Sequence, residues 1–272
     1  MRNLKAIARL VRYYILTCTT AAGSGHPTSS LSAADLMTAL MFNQFRLGFD
    51  RLILSKGHAA PLLYSLYAAA GMIKPAELYT LRKFGSQLEG HPTPKSKLAE
   101  VATGSLGQGL AVGLGLALNA KYLDKTGYLT YVLLGDSEMA EGSNWEAMSL
   151  ASHYQLDNLI ALVDVNRLGQ RGETMHGWNL AIYQAKAKAF GWATKIIDGH
   201  DFNQITAALA LAGKTAAKPL MILAKTVKGK GVPFWENQDG WHGKALNQDQ
   251  YREALKILGP VKEQTWTIKS AS

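Results

Sequence analysis

Apolar residues in this chain fall into short continuous runs, separated by stretches with helical spacing. RLILS (51–55), YVLLGD (131–136), LIALVDV (159–165), ATKIID (193–198) and LMILAKT (220–226) are too short for independent helices. They are also too continuous for strands with one wet face. Between them lie helical patterns: one starting near Ala59 and stopped by Gly71, then SNWEAMSLASHYQ (143–155), then FNQITAALALAGK (202–214). This alternation predicts an α/β fold, a doubly wound and mostly parallel sheet with helices on both faces. Ser32-x-x-Asp35 and Ser143-x-x-Glu146 read as capping boxes, and Pro75 as a first helical residue. At the N-terminus Arg2, Lys5, Arg9 and Arg12 recur at helical spacing and interrupt any signal-type apolar core, so an amphipathic first helix is expected. After Gly229 the chain turns irregular and polar, and its last dozen residues read as a tail.

Composition narrows this picture only slightly. The 272 residues suffice for a sizeable core, and 47% hydrophobic with 18% charged residues is ordinary for a soluble globular protein. No membrane span is expected, because no run of about 18 apolar residues occurs. Twenty-nine Lys and Arg against 20 Asp and Glu leave a net charge of +9, scattered along the chain. That suits a solubilising surface or affinity for phosphorylated metabolites. Nucleic acid is not an expected partner, since no basic run interleaves with aromatics and no zinc-finger spacing occurs. The lone Cys18 precludes an intrachain disulfide and fits a reducing cytoplasm.

Candidate chemistry gathers at predicted strand ends and in glycine-containing loops. His26, His58, His91 and His242 each sit beside a glycine in such a loop, and in α/β sheets ligands bind beyond the carboxyl ends of the strands. Asp136 and Asn166 end two consecutive strands thirty residues apart. If those strands are neighbours, a carboxylate and an amide oxygen share one crevice, and oxygen ligands suit a hard cation such as Mg²⁺ or Ca²⁺ bridging to phosphate. The helices expected after Gly104 and Gly135 would offer unpaired amides to the anion. Neither a Walker loop nor a G-x-G-x-x-G fingerprint is present. The series Gly107, Ala111, Gly115 and Gly109, Gly113, Ala117 permits close backbone approach, in a core or across a subunit contact.

The segments SGHPTSSLSAADLM, LSKGHAAPLLY, EGHPTPK, VATGSLGQGLAVGLGLAL, LLGDSEMAEGSNWEAMSLAS, LDNLIALVDVNRLGQ and AKTVKGKGVPFWEN…WHGK together resemble the transketolase family. The likeness runs from about residue 20 to 245. It implies a thiamine-diphosphate diphosphate-binding domain over 1–245, with 246–272 as a C-terminal extension. By resemblance, Asp136, Asn166 and the Leu168 carbonyl hold Mg²⁺ or Ca²⁺. Ser29, His58, Gly104, Ser105, Leu106, Gly135, Asp136, Ser137, Asn166, Lys228 and His242 bind thiamine diphosphate. His26, His91 and His242 are the implied catalytic residues, and Glu141 and Glu146 the implied proton network, although a capping glutamate at 146 needs no catalytic role. The family signature is Gly-Asp-Gly with Asn near thirty residues later. Ser137 departs from it, and a left-handed backbone there would strain a serine.

The activity implied is two-carbon ketol transfer between sugar phosphates. In this family a second, pyrimidine-binding domain supplies the glutamate that tautomerises the cofactor, and nothing in 246–272 matches it. The expectation is therefore a split transketolase, partnered by a C-terminal subunit with two copies of each chain. Two alternatives stay open: a subunit of a related thiamine enzyme (a specialised sugar transketolase or a deoxyxylulose-phosphate synthase type), or a non-catalytic regulatory remnant.

Overall fold

Runs apolar on both faces must be covered on both faces, and four of the five are; ATKIID is the exception, an edge strand that buries only Ile197 and leaves Lys195 and Ile196 exposed. A computed structural model describes residues 3–270. Its strands are β1 (Arg46–Leu47), β2 (Arg51–Leu54), β3 (Thr130–Gly135), β4 (Leu159–Val165), β5 (Ala193–Asp198), β6 (Leu220–Lys225) and β7 (Lys269–Ser270). Five of them form one sheet in the order β2-β3-β4-β6-β5 with every pairing parallel, which makes β3 and β4 neighbours with Gly135 opposite Asp164. The helices are α1 (Leu4–Ala22), α2 (Pro27–Ser32), α3 (Ala34–Ala39), α4 (Ala60–Ala69), α5 (Gln108–Leu118), α6 (Gly142–His153), α7 (Leu180–Ala189), α8 (Phe202–Leu209) and α9 (Gln248–Leu258).

Strand side chains alternate between two cores, as the two-residue period of a strand requires. Tyr131, Leu133, Ile160 and Leu162 pack with residues of α1, α3, α4 and α8. Val132, Leu134, Ala161 and Val163 pack with residues of α5, α6 and α7. The doubly wound α/β arrangement is thus present. On α5, Gly109 and Gly113 lie against the sheet, where an added Cβ would stand 2.2 Å from Ser55 Oγ and 2.6 Å from Val132 Cγ2. That side of the helix belongs to the core, whereas Ala111 and Gly115 are exposed. Among the described residues no helix is long and apolar enough to cross a membrane.

Several local expectations are corrected. Ser32 caps nothing: its hydroxyl donates to Ser29 O and Asp164, while Asp35 forms a buried two-pronged ion pair with Arg12 at 2.7 Å. Arg12 is therefore not part of a polar outer face, and removing either partner would cost ~3–5 kcal/mol by stranding a buried charge. Arg2 lies outside the described residues. Ser143 is no cap either, because α6 starts at Gly142 and the Ser143 hydroxyl donates to Gly107 O at 2.9 Å. Pro75 does open a helical segment, a 3₁₀ turn over Pro75–Thr80. His200 precedes α8, whose N-cap is Asp201. The polar C-terminal region holds α9, capped by Asn247 and Gln250. Nor do the last described residues trail as a tail: Trp266 N–H donates to Ala69 O, Ile268 is buried, and β7 pairs with β1.

Candidate functional site

Parallel strands deliver their carboxyl ends to one edge, and the polar residues following β2, β3, β4 and β6 meet there. A cavity of about 270 Å³ is lined by Ser29, His58, Leu106, Gly135, Asp136, Ser137, Glu141, Asn166, Leu168, Lys228 and His242, all expected at the site. His26 and His91 adjoin it through ring contacts: the His26 centroid lies 5.2 Å from His58, 5.0 Å from His242 and 6.3 Å from His91. Gly104, with φ +144°, lets its backbone lie against His91, where a Cβ would stand only 3.0 Å from the ring. Ser105 and Glu146 are exposed and do not line the cavity. A larger cleft of about 440 Å³ opens beside Asp136 and Ser137, but none of these four histidines lines it.

Asp136 is 4% exposed. Its Oδ1 accepts from Ser137 N at 2.9 Å, and its Oδ2 from Arg167 N at 2.7 Å and Thr174 Oγ1 at 3.2 Å. No Lys or Arg side chain forms an ion pair with it among the described residues. Burial, reinforced by the nearby Asp164, pushes its carboxyl up to about 6. On the neighbouring strand end Asn166 Nδ2 donates to Asp164 at 3.0 Å, and Oδ1 accepts from Leu168 N at 3.2 Å. Between them Arg167 adopts φ 64°, a left-handed turn uncommon outside glycine, which keeps Asn166 and Leu168 on one cavity wall. Ser137 is not among the left-handed residues, so the serine carries no such strain.

Lys228 Nζ donates to Leu168 O at 2.8 Å and Gly169 O at 2.9 Å, and to His242 Nδ1 at 2.9 Å, which leaves the imidazole proton of His242 on Nε2. Burial and the Lys56 charge bring the Lys228 ammonium down to about 8. Burial favours the neutral form of the four histidines at the site. Burial, then neighbouring His91, Arg82 and lysines, lowers His26 to about 4; burial and Lys228 lower His242 to about 3. His58 and His91 are lowered for the same leading reason.

This donor set fits a cation paired with an anion. A carboxylate raised by burial is relieved by a cation, and the Lys228 ammonium, lowered by burial, by an anion. Among the described residues no cluster of three His, Cys, Asp or Glu is placed to hold a metal, so the candidate ligands are mixed oxygens: Asp136, Asn166 Oδ1 and the Leu168 carbonyl. Mixed oxygen donors are those of a hard ion. Two backbone amides at this edge are engaged within the chain itself. Gly107 N and Gly135 N donate to the two oxygens of Glu138 at 2.9 and 3.1 Å, and the segment after Gly135 is a 3₁₀ turn, not the first turn of α6.

Sequence reasoning passed over Glu138, Arg167, Lys56, Asp164 and Thr226. Glu138 is buried, ties Ser55 Oγ to the two glycine amides, and is raised by burial. Asp164 receives Lys56 and Thr226. A signal existed for one of these: an aspartate inside the otherwise apolar run LIALVDV cannot be buried without partners.

Comparison with known proteins points to one family. Residues 4–271 match the family described as transketolase, thiamine diphosphate binding domain. Human transketolase is 46% identical over 266 residues, covering 95% of this chain and 42% of its own length. One of the subunits of an apulose-4-phosphate transketolase from Phocaeicola vulgatus is 39% identical over 243 residues, 86% of each chain. The crystal structure of Campylobacter jejuni transketolase superposes with a TM-score of 0.86 at 32% identity, covering 98% of this chain and 44% of that one. The chain thus spans under half the length of these full-length relatives, and it belongs to the transketolase family, whose thiamine diphosphate binding domain it matches.

Proposed function

We propose that this chain is the diphosphate-binding subunit of a transketolase that moves a two-carbon ketol unit between sugar phosphates, working with a separate pyrimidine-domain subunit. The observation that carries the reading is the convergence of four neutral histidines beside the Asp136–Asn166–Leu168 oxygen set and Lys228. Support for a separate partner comes from the Phocaeicola vulgatus relative, itself named as a subunit, which this chain matches over 86% of both lengths. A cytoplasmic location, two copies of each subunit and Mg²⁺ as the resident ion complete the proposal.

When bound, thiamine diphosphate would supply the nucleophilic carbon that ketol transfer needs. The chain's own residues supply binding and proton control. Asp136, Asn166 Oδ1 and the Leu168 carbonyl, which here accepts from Lys228 Nζ, would hold the cation, and the Lys228 ammonium would offset the diphosphate charge. His58 and His242 line the cavity and would border the cofactor. Neutral His26 and His91 can each accept or donate one proton at a sugar hydroxyl, which a charged imidazolium cannot do in both directions. Ketol transfer from a ketose phosphate to an aldose phosphate tests this, assayed on the chain alone and with a pyrimidine-domain subunit. Activity requiring both chains, Mg²⁺ and thiamine diphosphate is expected. Full activity from the chain alone, or none from any pairing, would sink the split-enzyme reading.

A further inference from the structure

Asp164 sits in the wall of the site without facing the cavity, its side chain fully buried. Donors from four segments converge on it: Ser32 Oγ at the end of α2 at 2.5 Å, Lys56 Nζ after β2, Thr226 Oγ1 after β6, and Asn166 Nδ2 after β4 at 3.0 Å. Lys56 Nζ also donates to Ser29 O at 3.0 Å. Stability alone is a poor reason for such a cluster, since a buried ion pair seldom outperforms apolar residues of the same size.

Its effect on Asn166 is more specific. An asparagine amide has an oxygen at one end and an NH₂ of similar size at the other, and a cation can use only the oxygen. A carboxylate facing an ammonium and two hydroxyls offers acceptors only. It can therefore engage only the NH₂ end of Asn166. We propose that Asp164 is a positioning residue for the divalent cation, locking the Asn166 amide so that Oδ1 is the atom presented to the metal. Lys56, Ser32 and Thr226 in turn hold the carboxylate in place. This rests on the reading of Asp136, Asn166 and Leu168 as the cation's ligands.

The test is a binding cycle on the full chain, with and without its pyrimidine-domain partner. Mg²⁺-dependent affinity for thiamine diphosphate is measured by calorimetry, and folding of each variant by thermal melts. Asp164→Asn is made together with Lys56→Met so that no ammonium is stranded. The amide introduced at position 164 could donate to Asn166 Oδ1, leaving the Leu168 N contact at 3.2 Å as the one remaining restraint described on that side chain. Adding Asn166→Asp then places oxygen at both ends of the side chain at 166. The Asp164→Asn/Lys56→Met pair should lose tenfold or more in Mg²⁺ dependence. Asn166→Asp should recover most of it in that background, whereas in the wild type it sets a second carboxylate against Asp164 and should lower affinity. Equal effects of Asn166→Asp in both backgrounds would overturn the role, because Asp164 would then not act through Asn166.

A second arm needs no variant to fold. In the ¹⁵N-labelled wild-type chain, the Asn166 side-chain NH₂ should be protected from exchange and stay protected when Mg²⁺ and thiamine diphosphate are added. Loss of protection on Mg²⁺ addition would overturn the lock directly. A wild-type chain that binds thiamine diphosphate with no cation dependence would instead refute the cation site, and this role with it.

Discussion

Replacing Asp136 by Asn should change how the metal-free protein responds to pH. Asp136 is 4% exposed, and burial and Asp164 raise its carboxyl from 3.8 to about 6. At about 1.4 kcal/mol per pH unit, that rise is worth about 3 kcal/mol. The sign follows from proton counting: between about pH 4 and pH 6 the folded state holds a proton on Asp136 that the unfolded state has lost. Stability from this group is therefore full below the unfolded value and is lost as pH rises through the folded one. Over pH ~4.5 to ~7.5, about 2 kcal/mol of the effect should be expressed. Asn keeps the size but not the titration. It also gives up an acceptor toward Ser137 N or Arg167 N, a cost that is the same at both pH values. The assay is urea unfolding of both proteins at the two pH values without Mg²⁺. Wild type should lose about 2 kcal/mol more than Asp136→Asn on going to the higher pH, the shared histidine titrations cancelling in the comparison. Mg²⁺ with thiamine diphosphate should then stabilise wild type and not the variant. Identical pH dependence in the two proteins, or equal stabilisation by Mg²⁺, would refute the account of Asp136 as a buried carboxylate awaiting a cation.

Three further outcomes are expected. Ser137→Gly should change cofactor affinity by no more than about 1 kcal/mol, since Ser137 is not in a left-handed conformation that glycine would relieve; calorimetry measures it, and a gain of several kcal/mol would mean the serine compromises the site. His26→Ala and His91→Ala should each lower kcat/KM strongly in the two-subunit assay while leaving thermal unfolding within about 1 kcal/mol, whereas a matching loss of stability would make them structural. His242 lies near 3 when folded against an ordinary 6.5, so the stability it contributes above pH 6.5 is lost as pH falls below that value. His242→Gln should make acid unfolding shallower over that window, followed by circular dichroism; an unchanged acid limb would contradict the burial argument.

The layered fold and much of the site can be read from the chain itself. Continuous apolar runs such as LIALVDV admit few arrangements other than a strand covered on both faces. Parallel strands then place Asp136 and Asn166 at the same edge, because successive strands point the same way. The glycine-flanked histidines were legible as a set for a similar reason: side chains on loops at that edge have one cleft to share. Local pattern failed wherever a partner distant in sequence competed for the same group. Ser32 and Ser143 had the spacing of caps, yet Asp164 and Gly107 O claimed their hydroxyls. Arg12 had the spacing of a solvent face, yet Asp35 drew it inward. The C-terminal segment looked like a tail because its polar composition hides the contacts Trp266 and Ile268 make with the body. The sequence alone, then, determined the layers and the edge that carries the chemistry, since burial period and chain direction are local properties. Only the tertiary structure decided which partner each polar atom at that edge engages. The Gly107 and Gly135 amides turn to Glu138, Lys228 rests on the Leu168 carbonyl, and Asp164 holds the NH₂ end of Asn166, because each buried donor must find its acceptor across the whole fold.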